Sequence, residues 1–175
     1  AGAGGRANRL RARSAGRAPA NRNGAGRFVA AGPLGACDAL GQTPPSRARL
    51  RRLEVAGAFH TRHMAPAVDE VRALANTLEV RDPGLTLVSN ADGMVVGSGR
   101  DAVDRVVSQI THPVRWDLCT QTMVKRGVDA FVELPPSGAL VGLAKRMMRD
   151  VPRHGVTTPE DLDAALESVP ALSGA

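Results

Sequence analysis

Two short apolar runs, LTLVS at 85–89 and AFVEL at 130–134, are each followed by a stretch with helical spacing of apolar residues. That alternation is the strongest constraint on the fold. Strands separated by helices of ten or more residues pair in parallel, through crossover helices. The expected class is α/β, with both runs as fully buried strands. At 175 residues the chain can enclose a real core.

The helical segments can be placed from their stripes and punctuation. Pro66 opens a helix, since it needs no amide partner in the first turn, and Val68, Val71, Leu74 and Leu78 form its apolar stripe. A second helix should turn Val103, Val106, Val107 and Ile110 inward and end before His112-Pro113. Trp116 to Arg126 reads as a third, with Gly127 beyond its end. Ser137 can cap a fourth carrying Leu140, Leu143, Ala144 and Met147. Thr158-Pro159-Glu160-Asp161 opens a short last one. Upstream, RFVAAG is a strand closed by Gly32-Pro33, LGACDALG a brief helix, and ARLRRLEVAG an imperfectly alternating strand ending at Gly57. Residues 1–17 are low-complexity Gly/Ala/Arg and read as a disordered leader.

Charge is unevenly spread. Up to residue 54 eleven arginines, Arg6 through Arg52, face only Asp38 and Glu54, whereas the remainder is mildly acidic. A basic leader thus precedes an acidic body. Phe28, Phe59, Phe131 and Trp116 are the only aromatics, too few for a base-stacking nucleic-acid platform. No apolar run approaches the roughly eighteen residues of a membrane span, and the start lacks the apolar core of a secretory signal. Cys37 and Cys119 form no Cys-x-x-Cys pattern, so a reduced, cytoplasmic setting is expected.

His60 ends the run VAGAFH. A histidine at a strand's end can reach the crevice where α/β folds place their chemistry, and an imidazole suits general base work near neutral pH. His63 follows closely, but no carboxylate or cysteine cluster stands near, so no metal site is expected. His112 reads as a turn residue before proline, and His154 as water-facing. The nucleophile is conspicuous by omission. Ser98 in VVGSGR and Ser137 in LPPSGAL both lack the Gly-x-Ser-x-Gly elbow, and neither cysteine has one. A complete serine or cysteine acyltransferase is not expected within these 175 residues.

The runs NRNGAGRFVAAGP, VAGAFHTRHMAPA, LVSNADG, VVSQITHPVRWD and GVDAFVELPPSGALVGLAKR, in that order, closely resemble the malonyl-CoA:acyl carrier protein transacylase family. The resemblance covers residues 18–169 and the C-terminal portion of the family only. It implies the end of a ferredoxin-like small subdomain over 18–54, the C-terminal part of an α/β-hydrolase-like large subdomain over 55–169, and a tail at 170–175. It also implies a malonyl group carried from coenzyme A to the phosphopantetheine thiol of acyl carrier protein by a serine, with no resident cofactor. Malonyl-CoA and the carrier protein are the substrates. His60 matches the family's general base, and Gln109 a residue whose backbone carbonyl orients it. Asn23 and Phe59 match substrate-binding positions, Phe59 resembling the malonyl-selective form. Arg27, Arg62 and the Pro-Pro of ELPPSGAL depart from the commoner pattern.

This portion alone is expected to be inactive, because the half that carries the serine is not in it. Two alternatives stand beside that reading. The chain could supply His60 to a separate polypeptide bearing the serine, or it could be a non-enzymatic carrier-binding remnant whose basic leader attracts an acidic carrier.

Overall fold

The computed structural model describes residues 16–168. The disorder expected of residues 1–15 and the tail at 170–175 lie outside that range. Arg17 does not, and it is held: its Nη1 donates to the Ala36 carbonyl at 2.7 Å.

The chain opens with an antiparallel hairpin of β1 (Ala18–Gly24) and β2 (Arg27–Ala31). The strand RFVAA was expected, but APANRNG has no alternation to betray β1. Its pairing comes from the turn. Ala25 and Gly26 both have positive φ, 46° and 80°, the combination that matches a two-residue turn to the strand twist. A register shift between Arg22 and Gly24 leaves Asn23 in a bulge. The other edge of β1 is also used: Arg22 N–H donates to the Val114 carbonyl at 2.8 Å, and Val114 N–H to that of Ala20 at 2.9 Å. Helix α1 (Leu34–Gln42) follows Pro33.

The strand expected over ARLRRLEVAG does not form. Leu50, Leu53 and Val55 remain 46%, 49% and 63% exposed, and no neighbouring strand takes up their amides. An imperfect alternation with nothing to bury against gives irregular chain. A 3₁₀ turn (Arg62–Ala67) containing Pro66 then leads into α2 (Val68–Thr77), so the α-helix starts two residues after the proline. Its expected stripe is not buried. Leu74 and Leu78 are exposed, and Ala75 is the one buried position of α2.

Helix α3 (Gly99–Gln109) starts at Ser98, whose Oγ accepts the Asp101 N–H. Gly99 cannot be replaced there without a shift, since a Cβ would lie 2.2 Å from the Arg81 carbonyl oxygen. Val107 faces inward as expected, but Val106 points out and is 66% exposed. LTLVS is not a buried strand either: Leu85 is 88% exposed, and only Val88 pairs, with Val95 in a local antiparallel bridge. The turn through Asn90–Gly93 takes the backbone groups instead, with Ser89 N–H on the Met94 carbonyl and Val96 N–H on that of Leu87. Helix α4 (Trp116–Lys125) runs as expected, to Gly127 at φ 73°.

The structure divides into two compact units, the first ending at Cys119 and the second starting at Thr120. The second holds the βα unit expected from AFVEL. Strand β3 (Phe131–Glu133) pairs in parallel with β4 (Arg153–Gly155), the crossover being α5 (Ala139–Met147). The polar run RHG gave no sign of β4, and His154 lies within it, half-buried rather than facing water. Phe131, Ala144, Met148, Val156 and, from α6 (Pro159–Ser168), Ala165 make its core. Ser137 does not cap α5. The buried Glu133 carboxylate does, accepting N–H bonds from Gly138, Leu140 and Val141 at 2.8–2.9 Å. Among the described residues no helix is long and apolar enough to cross a membrane.

Candidate active site

The local sequence FHTRH builds a tight corner. Thr61 is buried and its hydroxyl works in both directions, donating to the Ala58 carbonyl at 2.6 Å and accepting the His63 N–H at 3.3 Å. Between those anchors His60 adopts φ 59°, in the left-handed region. For a side chain with a Cβ that conformation costs about 1–2 kcal/mol, and its result here is the aim of the imidazole.

The ring points at the C-terminal end of α3. His60 Nδ1 lies 2.9 Å from the main-chain oxygen of Gln109. A carbonyl oxygen only accepts, so Nδ1 carries a proton, and in the neutral ring the lone pair lies on Nε2. The structure thus brings together two residues 49 positions apart. A peptide carbonyl fixes the tautomer as a carboxylate would, while adding no second charge. The Gln109 side chain is itself buried, and its amide nitrogen has no partner among the described residues.

Phe59 is 47% exposed, its ring lying over Gly57, where an added Cβ would meet the ring at 3.5 Å and the Met64 sulfur at 3.7 Å. Asn23 sits in the β1 bulge, half-buried, and no hydrogen bond joins it to His60 or Gln109. His63 Nε2 faces the Gly16 carbonyl at 3.3 Å. No three His, Cys, Asp or Glu side chains among the described residues converge to hold a metal ion. Cys119 donates to the Ser89 carbonyl, and burial pushes its thiol up to about 11, which keeps it out of the thiolate form. The Ser98 hydroxyl is taken up as a helix cap. An open depression lined by Leu78, Glu79, Val80, Arg81 and Arg100 shares no residue with the His60–Gln109 pair.

Sequence reasoning placed His60 and Gln109 but missed Thr61, which holds the corner. The signal was available: a threonine immediately before a helical turn is a capping pattern.

No family model matches the chain. Its likeness to individual proteins is strong. It is 54% identical over 145 residues to the malonyl-CoA:acyl carrier protein transacylase of Mycobacterium tuberculosis, covering 83% of this chain and 48% of the relative. The crystal structure of MCAT from the same organism superposes with a TM-score of 0.82 at 53% identity, over 85% of this chain and 49% of that one. A type II polyketide acyl carrier protein in complex with its malonyl-transacylase gives 0.81 at 28% identity, over 95% of this chain and 54% of that one. The chain spans about half the length of the curated relatives it matches.

Sequence and fold together define an acyltransferase-type α/β protein, with the hydrolase-like and ferredoxin-like subdomain pattern of those structures. The chain belongs to the malonyl-CoA:acyl carrier protein transacylase family, and its extent fits the C-terminal portion.

Proposed function

We propose that this chain supplies the proton-handling part of malonyl transfer from coenzyme A to acyl carrier protein. The observation that carries the reading is the 2.9 Å contact between His60 Nδ1 and the Gln109 carbonyl, which leaves Nε2 as the acceptor. In the reaction a serine Oγ attacks the malonyl thioester carbonyl and its proton passes to His60 Nε2. The C–S bond breaks and the coenzyme A sulfur leaves with that proton, giving a malonyl-serine ester. The phosphopantetheine thiol of the carrier then gives its proton to His60 and attacks the ester. The serine oxygen leaves and takes the proton back. Each half-reaction returns His60 neutral.

That serine belongs to the portion of the family that lies outside these 175 residues. Residues 18–54 are assigned to the small subdomain and 55–169 to the large one, with Asn23 and the exposed Phe59 ring as substrate contacts. Free Cys37 and Cys119 suit the reduced cytoplasm, where these thioesters are made and used.

The test is reconstitution. The chain is mixed with a polypeptide carrying the Gly-x-Ser-x-Gly half of a relative, and malonyl transfer to carrier protein is followed by mass spectrometry. The chain alone should transfer nothing. The mixture should transfer, and His60→Ala should cut the rate by about 10²–10⁴-fold, the usual contribution of a general base. Full activity of the His60→Ala mixture would sink the reading. Binding of carrier without transfer would favour the carrier-binding alternative.

A further inference from the structure

The Gln109 carbonyl is shared between His60 and the end of the helix, and the sequence after it shows why the helix holds it only by a long bond. In an α-helix the carbonyl of residue i accepts the N–H of residue i+4. For Gln109 that position is Pro113, which has no N–H. The helix closes instead with three-residue bonds, Thr111 N–H to Ser108 and His112 N–H to Gln109, both 3.3 Å long. A second lone pair of the Gln109 oxygen is left for the shorter bond from His60.

His112 ties the same turn from outside. Its Nδ1 lies 2.7 Å from the Ser108 carbonyl, so that nitrogen must donate. The Thr111 and Ser108 hydroxyls crowd the same atom at 3.2 and 3.4 Å. Beyond Pro113 the chain cannot fold back over the helix end, because Val114 is bonded through both its N–H and its carbonyl to β1.

We propose that Pro113 and His112 are positioning residues for His60: the proline withholds the i+4 donor from the Gln109 carbonyl, and the histidine locks the turn that aims it. Neither touches a reacting atom. The inference rests on the reading of His60 as the base.

The test reads the His60 tautomer directly. The uniformly ¹⁵N-labelled chain has four histidines, and long-range proton–nitrogen correlation distinguishes Nδ1–H from Nε2–H in each neutral ring. Wild-type His60 should be mainly Nδ1–H. In Pro113→Ala and His112→Ala the ratio of Nδ1–H to Nε2–H should fall about five-fold, the order lost with one modest hydrogen bond. His112→Asn, whose amide can still donate to Ser108, should restore most of it. A wild-type His60 with its proton on Nε2 overturns the base reading itself. A wild-type Nδ1–H form that persists unchanged in both alanine variants leaves that reading intact and overturns this inference. Failure of His112→Asn to restore the ratio removes His112 from it. Should Pro113→Ala not fold, the exposed His112 variants decide the matter alone.

Discussion

The imidazole of His60 and the main-chain carbonyl of Gln109 meet at 2.9 Å, in a hydrogen bond to which the Gln109 side chain contributes nothing. The consequence is a separation of roles within one residue: the backbone aims the imidazole, and the buried amide is a liability.

Gln109→Met should therefore be tolerated. The carbonyl stays, while a buried donor without a partner among the described residues is removed. Leaving such a donor unsatisfied costs about 1–3 kcal/mol, so the variant should be as stable as the parent or more so in urea unfolding. A loss above about 1 kcal/mol would mean that the amide has found an acceptor.

His60 should show the mark of its backbone. At φ 59° a Cβ is strained and glycine is not. His60→Gly should be more stable than His60→Ala by about 0.5–1 kcal/mol, the left-handed penalty less the entropy glycine gains on unfolding. Equal stabilities would place the corner outside the left-handed region.

The hairpin offers a gain. Ala25 occupies the first position of a turn that asks for positive φ at both central residues. Asparagine before glycine is the preferred pair in such turns, so Ala25→Asn should add about 0.5–1 kcal/mol, read from the denaturation midpoint.

Glu133 makes the second unit acid-sensitive. Burial pushes its carboxyl up, but N–H bonds from Val141, Leu140 and Gly138 outweigh this and hold it below the ordinary value. Its folded value is thus lower than its unfolded value of about 4.3. The stabilisation is fully present above that unfolded value, and is lost as pH falls through the folded one. Glu133→Ala should cost about 1–2 kcal/mol at neutral pH, and should flatten this part of the acid limb. An unchanged acid limb would count against the cap.

The exposed apolar side chains bear on whether the chain folds firmly alone. Leu74, Leu85 and Val106 are 63%, 88% and 66% exposed, and β3 has β4 as its one strand neighbour among the described residues. Parallel strands are ordinarily covered on both faces. Thermal unfolding of the chain should be broad, and should sharpen and rise when the serine-bearing half of a relative is present. A sharp transition indifferent to that partner would show that the region is autonomous.

What could be read in the sequence follows a physical divide. Helices α1 to α6 were legible because most of their boundaries are written in local chemistry: Pro33, Pro113, Gly127 and Thr158 act on their own neighbours. Of the strands, β2 and β3 were legible and β1 and β4 were not. β1 and β4 are polar runs whose ladders depend on distant partners, and LTLVS, apolar enough for a core, is claimed by its own turn. Stripes also overstated burial, since Val106 and Leu74 have the right spacing and lie in the open. At the site, the resemblance to a family supplied His60 and Gln109. No side-chain pattern could have done so for Gln109, whose acting atom every residue possesses. The Glu133 cap was hidden for a different reason: a carboxylate inside AFVEL looks like an interruption of a strand, and its partners arrive only when α5 folds back over it.

The bonds from Ala20 and Arg22 to Val114 close a loop that contains both His60 and Gln109. Closing a loop of that span is entropically unfavourable, and it precedes the contacts that reward it. That closure is made where the first described strand meets the segment beyond α3. A ribosome must have released both ends of that loop before it can close, so the stretch that carries His60 and Gln109 gains this restraint only towards the end of the first unit's synthesis.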